Sequence, residues 1–496
     1  MVNALPNEVF LLIAENLPTD RDVSALMRTN HALYDLLVTY LYKRNMRSKF
    51  PALFWCCRNG LLTPVKRMLS LKADVNSHRC LYHGEATPLM GAAREGYVGM
   101  TKLLLEHGAE VDLCNPDGGP CEPPLTLAAA EDKDDFLCHP KEIQNYWSSD
   151  DESLDERLYQ DNVFDVRVAE KSEDTRDYQA VVKLLLDHGA NPNNTKNGSH
   201  SWVSPLMVAA RCGNLETAKI LLAHGASPSL HYSAYESGYG SRIQEWESPL
   251  KMACYLESPG REPMLDLLLQ HGADINLENE AGETMLFAFI DGRLDDSVDL
   301  IRELCKRGAV ANYLDLNHDT PLHLCQSSED MVKVLLEYGG DVDAANLIGH
   351  TPLFYHDKVP ALKQLLAHGA DPNIEDYIGY RPLTKLVSSG NYDAVKFLID
   401  HGADPNYELP YGRTNLHTAA MNGHAVIVKL LLEHGAYLGT VADDGSTAWD
   451  LAKDKECREM LARWARRENQ ENHLSARKDP DAVDEISDGS DYSPGY

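Results

Sequence analysis

The sequence of 496 residues contains 20 histidines, the side chains best suited to act as general bases or metal ligands near neutral pH. Seven of them precede a glycine at the end of a leucine-rich run: His107, His188, His224, His271, His368, His401 and His434. Two others, His323 and His417, follow a threonine by three residues. Side chains that recur with a repeating unit usually serve that unit, so we predict structural roles for these histidines.

A second set of residues could form a metal site. It comprises His78, Cys80, His83, Cys114, Cys121, Cys138 and His139. Structural zinc sites usually show paired ligands at characteristic short spacings, and the spacings of this set match no standard ligand pattern, so we do not assign zinc to it. Phosphate-binding loops, nucleophile elbows and metalloprotease helix motifs are absent from the sequence, and the many carboxylates offer no selected acid/base pair. We therefore expect a protein that is not an enzyme and has no cofactor and no metal.

Net charge restricts the class of partner. A charge of −30 would repel nucleic acids and anionic membrane surfaces, so neither is an expected partner. The sequence shows no secretion signal and no apolar run long enough to cross a bilayer. Its 11 cysteines include no C-x-x-C pair and are expected to be reduced. These features predict a soluble protein of the cytoplasm or nucleus.

The leucine-rich runs belong to a unit that repeats along most of the chain. The steps from Gly369 to Gly402 and on to Gly435 are 33 residues each, and Thr-Pro-Leu or a close variant precedes most runs. Threonine or serine can cap a short helix, proline suits its first turn, and glycine can end a second helix in a left-handed conformation. The unit therefore predicts two short antiparallel helices.

This unit resembles the ankyrin repeat, whose T-P-L-H-x-A phrase appears here as TPLMGAA, SPLMVAA, TPLHLC and TNLHTAA. The resemblance covers residues 49–465, about eleven units. It implies an all-α ankyrin-repeat solenoid of stacked helix pairs, with hairpin fingers between the pairs. It also implies a surface that binds another protein.

Three segments depart from the repeat. Residues 131–177 hold sixteen acidic and six basic residues, which predicts a solvated loop inserted in the turn between two helices of one unit. Residues 230–247 lengthen a connection where a finger is expected, and this insertion is rich in aromatic residues. The last unit has charges on its stacking face, as a terminal cap does. Residues 466–496 are acidic and predict a disordered tail.

Aromatic residues in the predicted fingers are candidates for binding a protein substrate, because tyrosine and tryptophan dominate many interfaces. They are Trp202, Tyr235, Trp246, Tyr313, Tyr377, Tyr380, Tyr407 and Tyr411. The alternative is that several of them pack on the adjacent finger, and the sequence alone does not separate the two. The acidic excess favours a partner that carries a basic segment.

Residues 1–48 lie outside the repeat and are predicted to form three short helices with apolar faces. They resemble an F-box, through the opening Leu5-Pro6, Glu8-Val9, Ile13, Leu17 and then Asp22, Leu26 and the Leu33-Tyr34 region. The resemblance implies docking to the Skp-type adaptor of a cullin ubiquitin ligase. It places Leu5, Pro6, Val9, Ile13, Leu17 and Leu26 at the adaptor or between the three helices.

An F-box followed directly by repeats is similar to the layout of fungal F-box/ankyrin proteins. That resemblance implies a non-catalytic substrate receptor of a Skp–cullin–F-box ubiquitin ligase: the F-box binds the adaptor, and the repeats present a protein substrate. The alternative is an ankyrin-repeat scaffold or signalling regulator, in which the N-terminal helices only cap the array.

Overall fold

The computed structural model describes residues 7–17, 40, 52–77, 79–81, 84–113, 122–131, 174–195, 203–233, 246–290, 297–325 and 328–476. The chain divides into two compact units, Met1–Asp274 and Ile275–Tyr496.

The described residues of unit 1 contain helix α1 and then five helix pairs. These helices are α1 Asn7–Asn16, α2 Ala52–Arg58, α3 Leu62–Ser70, α4 Pro88–Arg94, α5 Val98–Glu106, α6 Pro124–Ala129, α7 Tyr178–Asp187, α8 Pro205–Cys212, α9 Leu215–Ala223, α10 Pro249–Cys254 and α11 Arg261–Gln270. Two antiparallel strand pairs join successive helix pairs: β1 Arg79–Leu81 with β2 Gly84–Ala86, and β3 Tyr232–Ser233 with β4 Trp246–Glu247.

Unit 2 contains six further helix pairs in its described part. The helices are α12 Met285–Phe289, α13 Ser297–Lys306, α14 Pro321–Leu324, α15 Glu329–Glu337, α16 Val359–Ala367, α17 Pro382–Ser389, α18 Tyr392–Asp400, α19 Asn415–Asn422, α20 Ala425–Glu433, α21 Ala448–Leu451 and α22 Lys455–Ala476. A three-residue 3₁₀ turn, Pro352–Phe354, takes the place of the first helix in the pair that α16 completes. Another 3₁₀ turn, Pro410–Gly412, lies in the finger before α19.

Each unit consists of two layers of helices. The first helix of a pair contacts the first helices of its neighbours, and the second helix contacts the second helices. Leucines between the layers are fully buried, among them Leu206 and Leu221 in unit 1 and Leu335, Leu365 and Leu398 in unit 2. A buried leucine contributes roughly 1.5–3 kcal/mol. The predicted all-α stack of helix pairs is confirmed, whereas the three-helix arrangement of residues 1–48 falls mostly outside the described residues.

The side chains of both groups of repeated histidines contact backbone polar groups at helix ends. In each of the seven that precede glycine, Nδ1 lies 2.8–2.9 Å from the carbonyl oxygen four residues earlier, at the end of the second helix. At the start of the first helix, the Thr320 N–H donates to Nδ1 of His323 and the Thr414 N–H donates to Nδ1 of His417. Burial lowers the pKa of both His323 and His417, which favours the neutral ring.

The described end of the acidic insertion is attached to the preceding helix pair. The Asp174 carboxylate accepts hydrogen bonds from the backbone N–H groups of Gly99 and Met100, both at 2.7 Å. The Asp177 N–H donates to the carbonyl of Gly96 at 2.9 Å. Helix α5 has no side-chain cap at its own N-cap residue, Tyr97, so the returning chain supplies a carboxylate for the exposed N–H groups.

Helix α22 corrects the predicted start of the disordered tail. It continues to Ala476, so residues 466–476 are helical although the sequence predicts disorder from residue 466. Salt bridges at i,i+4 spacing, from Lys455 and Arg463 to Glu459, stabilise the first half of this helix. Residues 477–496 lie outside the described part of the chain.

An asparagine four residues after the position of the helix-ending glycine, as in Gly-Ala-Asp-Pro-Asn, joins consecutive repeats. The Asn406 amide donates to the carbonyl of Gly435 at 2.8 Å and accepts from the N–H of Tyr437 at 2.8 Å. This two-bond link recurs at Asn76, Asn193, Asn276 and Asn373. At two positions an aspartate takes the place of this asparagine: Asp112 accepts from the N–H of Asn191, and Asp343 accepts from the N–H of Asp371. When ionised, Asp343 has no donor for the neighbouring carbonyl.

We expect Asp343→Asn to stabilise the protein, because asparagine supplies the missing donor and removes a half-buried charge. One added hydrogen bond is worth about 1 kcal/mol, a rise of roughly 2–4 °C in melting temperature for a chain segment of this size. Burial, followed by the nearby Asp371 and Asp341, raises the pKa of Asp343. The folded wild type therefore binds this proton more readily than the unfolded chain does, and its stability increases as pH falls through that pKa.

Thermal unfolding of the wild type and the variant between pH 7 and pH 4 tests this expectation. The advantage of Asp343→Asn should be largest at pH 7 and shrink towards pH 4. Asp341→Asn is the control, because it removes a neighbouring charge without adding a donor at the link between repeats. An equal gain in both variants would show that charge removal alone is responsible.

Candidate functional site

The fingers of unit 2 expose a series of apolar side chains at their ends, which we call the tip row. Leu316 is 66 % exposed, Tyr377 75 % and Tyr411 74 %. The complete tip row consists of Leu316, Leu347, Ile348, Tyr377, Ile378 and Tyr411. Large apolar side chains at successive finger ends form a contiguous patch of the kind that marks an interaction surface.

In four consecutive fingers of unit 2, a buried Asn or Asp side chain accepts hydrogen bonds from the backbone of the tip. Asp376 is buried, and its carboxylate accepts hydrogen bonds from the N–H groups of Ile378 at 2.9 Å and Tyr380 at 2.8 Å. Asn279, Asp315 and Asn346 make the same pair of bonds in their own fingers. These bonds hold the two residues after the polar one in a fixed turn, which directs their side chains outward.

Backbone hydrogen bonds also connect neighbouring tips. The N–H of Leu347 donates to the carbonyl of Asn317 at 3.0 Å, and the N–H of Tyr377 donates to the carbonyl of Ile348 at 3.2 Å. Further bonds of this type run from Leu316 to Ala281 at 3.0 Å and from Asp443 to Tyr411 at 3.0 Å. The exposed side chains are thus mounted on a hydrogen-bonded framework, and binding would cost little additional ordering of the backbone.

Tyr411 adopts an unusual backbone conformation. Its φ is +68°, a region that favours glycine and asparagine and is unfavourable for an aromatic residue. The side chain is three-quarters exposed, so core packing does not explain why tyrosine occupies this position. A strained residue that presents a large exposed side chain points to a selected contact.

The predicted substrate-binding residues divide by exposure. Tyr377 and Tyr411 lie in the tip row, and Tyr380 is partly exposed beside it. Tyr407 is half-buried under the guanidinium of Arg381, whose Cζ lies 3.4 Å from the ring centroid, and the Tyr313 hydroxyl is hydrogen-bonded to Glu278. Tyr313 and Tyr407 thus join neighbouring fingers. Trp202 and Tyr235 lie outside the described residues, and only the backbone of Trp246 is described.

The sequence analysis did not identify the aliphatic members of the tip row, namely Leu316, Leu347, Ile348 and Ile378. A signal was present, because the segments Asn346–Gly349 and Asp376–Gly379 place two apolar residues between a turn-forming Asn or Asp and a glycine. Only their combination at adjacent finger ends makes them a surface.

Carboxylates surround the C-terminal end of the tip row. Glu408, Asp443 and Asp444 are exposed next to Tyr411 in the chain or on the neighbouring tip. The Ser446 hydroxyl and N–H, and then Arg413, hold the pKa of Asp444 below its usual value. Arg381 is already paired with Glu375 at 2.9 Å, and Arg413 faces Asp444 at 3.5 Å. This end of the row therefore carries an excess of negative charge.

A buried polar network supports the tip row. Asn346 donates to the carboxylate of Asp319 at 2.8 Å and to the hydroxyl of Tyr355 at 3.0 Å. The His323 ring donates from Nε2 to the carbonyl of His350 at 3.1 Å. These side chains satisfy one another between two fingers, so they fix the position of the tips and are not open to a substrate.

Helix α1 presents a second apolar surface. Leu12 is 56 % exposed and Ile13 is 39 % exposed, whereas Leu17 is half-buried. Of the other predicted adaptor-binding residues, Leu5, Pro6 and Leu26 lie outside the described residues, and the side chain of Val9 is also not described.

Among the described residues, no group of three or more His, Cys, Asp and Glu side chains could hold a metal ion. The cysteine and histidine set considered for zinc lies almost entirely outside them. Cys254 and Cys325 are fully buried, and burial raises the pKa of Cys325 to about 12. No helix in the described part of the chain is both long and apolar enough to cross a membrane.

Comparison with known proteins identifies the repeat. The family described as "Ankyrin repeats (3 copies)" matches residues 22–136, 174–237, 250–346 and 353–442. The first match begins inside residues 1–48, so it overlaps the second half of the predicted F-box.

Several relatives are similar over part of their length. The human "Ankyrin repeat and MYND domain-containing protein 1" is 30 % identical over 37 % of this chain and 22 % of its own length. The human "Ankyrin repeat and SOCS box protein 6" is 31 % identical over 39 % of this chain and 41 % of its own. This chain thus spans less than half of each of these relatives. The ankyrin repeat domain of Bcl-3 is 25 % identical, with a TM-score of 0.40 over 44 % of this chain and 98 % of the domain.

Proposed function

The chain belongs to the ankyrin-repeat family, and we propose that it is a non-catalytic protein-binding subunit whose tip row in unit 2 holds a segment of a partner protein. The rigid, contiguous row of exposed apolar tips carries this proposal. Apolar and aromatic side chains on a preorganised framework are the features that concentrate binding energy in protein interfaces.

Site-specific photo-crosslinking tests the location of the contact. A photoreactive phenylalanine analogue at Leu347, in the middle of the tip row, should form a covalent adduct with a protein partner. The same analogue at Val426, which is also well exposed but lies at the start of the second-layer helix α20, is the matched control. Adducts from position 426 with none from position 347 would overturn the assignment of the binding surface.

We further propose that the bound protein is a substrate and that the chain delivers it to a Skp–cullin–F-box ubiquitin ligase through its N-terminal segment. The exposed Leu12 and Ile13 on α1 support this role, because an apolar helix face needs a partner surface. The pairing of ankyrin repeats with a second module in the name of a relative, a SOCS box, is a parallel. The scaffold alternative is favoured by the family match that begins at residue 22.

We expect Leu12→Asp together with Ile13→Asp to abolish capture of the purified Skp-type adaptor. Charged side chains in an apolar contact would lose their hydration without gaining a partner. The control is Glu15→Gln, an exposed position on the same helix. Pull-down with equal amounts of each chain measures the effect. If the wild-type chain does not bind the adaptor, the receptor role is excluded and the scaffold reading stands.

A further inference from the structure

We infer that the segment bound by the tip row is an extended peptide with an apolar centre and lysine or arginine at the end that lies over the last tips. This inference rests on the proposed protein-binding function and specifies the chemistry of the partner. The tip row is apolar from Leu316 to Tyr411, and beyond it the exposed surface becomes acidic at Asp443 and Asp444.

The arrangement of the tips favours an extended occupant. Each finger contributes one or two exposed apolar residues, and single backbone hydrogen bonds join the tips that carry Leu316, Leu347 and Tyr377 in series. An extended chain presents its side chains alternately to opposite faces, so one face can contact successive tips while the other stays in solvent. A segment laid along the row would thus use its apolar residues in series.

The acidic end requires a complementary charge. Glu408, Asp443 and Asp444 are exposed there, whereas Arg413 is the basic side chain that faces Asp444. An acidic partner would be repelled, and a neutral one would desolvate the carboxylates without compensation. Lysine or arginine could pair with these carboxylates and also lie over the exposed ring of Tyr411, an arrangement that adds cation–π attraction.

Selection of random fifteen-residue peptides displayed on phage tests the inference on the full chain. Three baits are compared: the wild type, a charge variant Glu408→Gln/Asp443→Asn/Asp444→Asn, and a tip variant Leu347→Ser/Tyr377→Ser/Ile378→Ser. A control bait, Glu433→Gln/Glu456→Gln/Glu468→Gln, removes three exposed carboxylates from helices α20 and α22.

The wild type and the control bait should both enrich peptides that combine apolar residues with lysine or arginine at one end. The charge variant should still enrich apolar peptides but lose the preference for basic residues, and selected peptides should bind it about 10-fold more weakly at low salt. At 1 M salt that difference should vanish, because exposed charges are then screened.

The two levels of failure are distinguishable. Enrichment of apolar peptides without basic residues by the wild type, or an unchanged basic preference in the charge variant, overturns the partner chemistry alone. If the selected peptides bind the tip variant with the same affinity as the wild type, the proposed binding surface itself is overturned.

Discussion

Replacement of the two tip tyrosines, Tyr377→Ser with Tyr411→Asn, is expected to abolish measurable binding of the partner without unfolding the protein. Truncation of a central aromatic contact typically costs about 2 kcal/mol, or roughly 30-fold in affinity. Two such losses should weaken binding at least about 100-fold. Both side chains are about three-quarters exposed, so little packing is lost in the free protein.

Asparagine is chosen to replace Tyr411 so that a loss of affinity can be distinguished from a loss of stability. Asparagine tolerates the positive φ of this position better than tyrosine does, so Tyr411→Asn should leave the melting temperature unchanged or slightly higher. Affinity is measured by titration with the crosslinked partner or a selected peptide, and stability by thermal unfolding of the same preparations.

Tyr437→Ser is the matched control. Tyr437 is 69 % exposed in unit 2, but it lies at the base of a finger, where its N–H bonds to Asn406, and not in the tip row. This variant should bind like the wild type. An equal loss of affinity in Tyr437→Ser, or a fall of several degrees in the melting temperature of the double variant, would mean that the tyrosines act on the fold.

The largest effect on stability is expected from Gly349→Ala. Gly349 has a φ of +83°, and an added Cβ would lie 2.7 Å from the backbone nitrogen of Tyr377 and 3.0 Å from Cα of Asp376. A left-handed alanine alone costs roughly 1–2 kcal/mol. The clash is with backbone atoms, so relief requires the two fingers to separate and the hydrogen bond between Tyr377 and Ile348 to break. Together these terms amount to about 3 kcal/mol.

Gly369→Ala isolates the conformational part of this cost. Gly369 has a similar φ of +95°, but an added Cβ would meet nothing within 4 Å, so a loss of about 1–2 kcal/mol is expected. Denaturant unfolding of the two variants gives the difference, and hydrogen exchange at the Tyr377 amide reports whether the tips separate. Equal destabilisation of both variants, with the Tyr377 amide still protected, would contradict the proposed contact between tips.

The two predictions concern the same framework. Gly349→Ala should also weaken partner binding, because the tip residues on either side, Ile348 and Tyr377, would no longer be held in register. Gly369→Ala lies at the end of helix α16, away from the tip row, and should leave affinity unchanged. Loss of binding only in Gly349→Ala would show that the partner depends on the relative positions of neighbouring tips.

Some of the architecture could be predicted because local rules suffice for it. Threonine before proline, alanine-rich first helices and glycine after leucine-rich second helices define each helix pair within about thirty residues. The assignment of helix pairs is secure because the same pattern recurs many times. The pairs then stack in chain order, since each repeat contacts only its neighbours. The roles of the repeated histidines follow in the same way, and the bonds at His368 and His323 agree with the structural prediction.

Other features could not be predicted because they depend on contacts between repeats. Tyr407 and Tyr377 both lie in predicted fingers, yet the first lies under Arg381 and the second faces solvent. The disordered tail was predicted from residue 466 because its composition is acidic, whereas α22 continues to Ala476. A helix already nucleated by packing can extend through residues that would not start one, since propagation is easier than nucleation.

The acidic excess follows from composition, and the repeated helix pairs can be read from the sequence because they depend on residues close together along the polymer. Which side chains form a surface depends on how the repeats stack. Leu316, Ile348 and Tyr377 are about thirty residues apart from finger to finger, and it is the stacking of helix pairs and the hydrogen bonds between tips that place them side by side. Each repeat therefore contributes one or two tip residues, and the stacking of repeats brings them together as one binding surface.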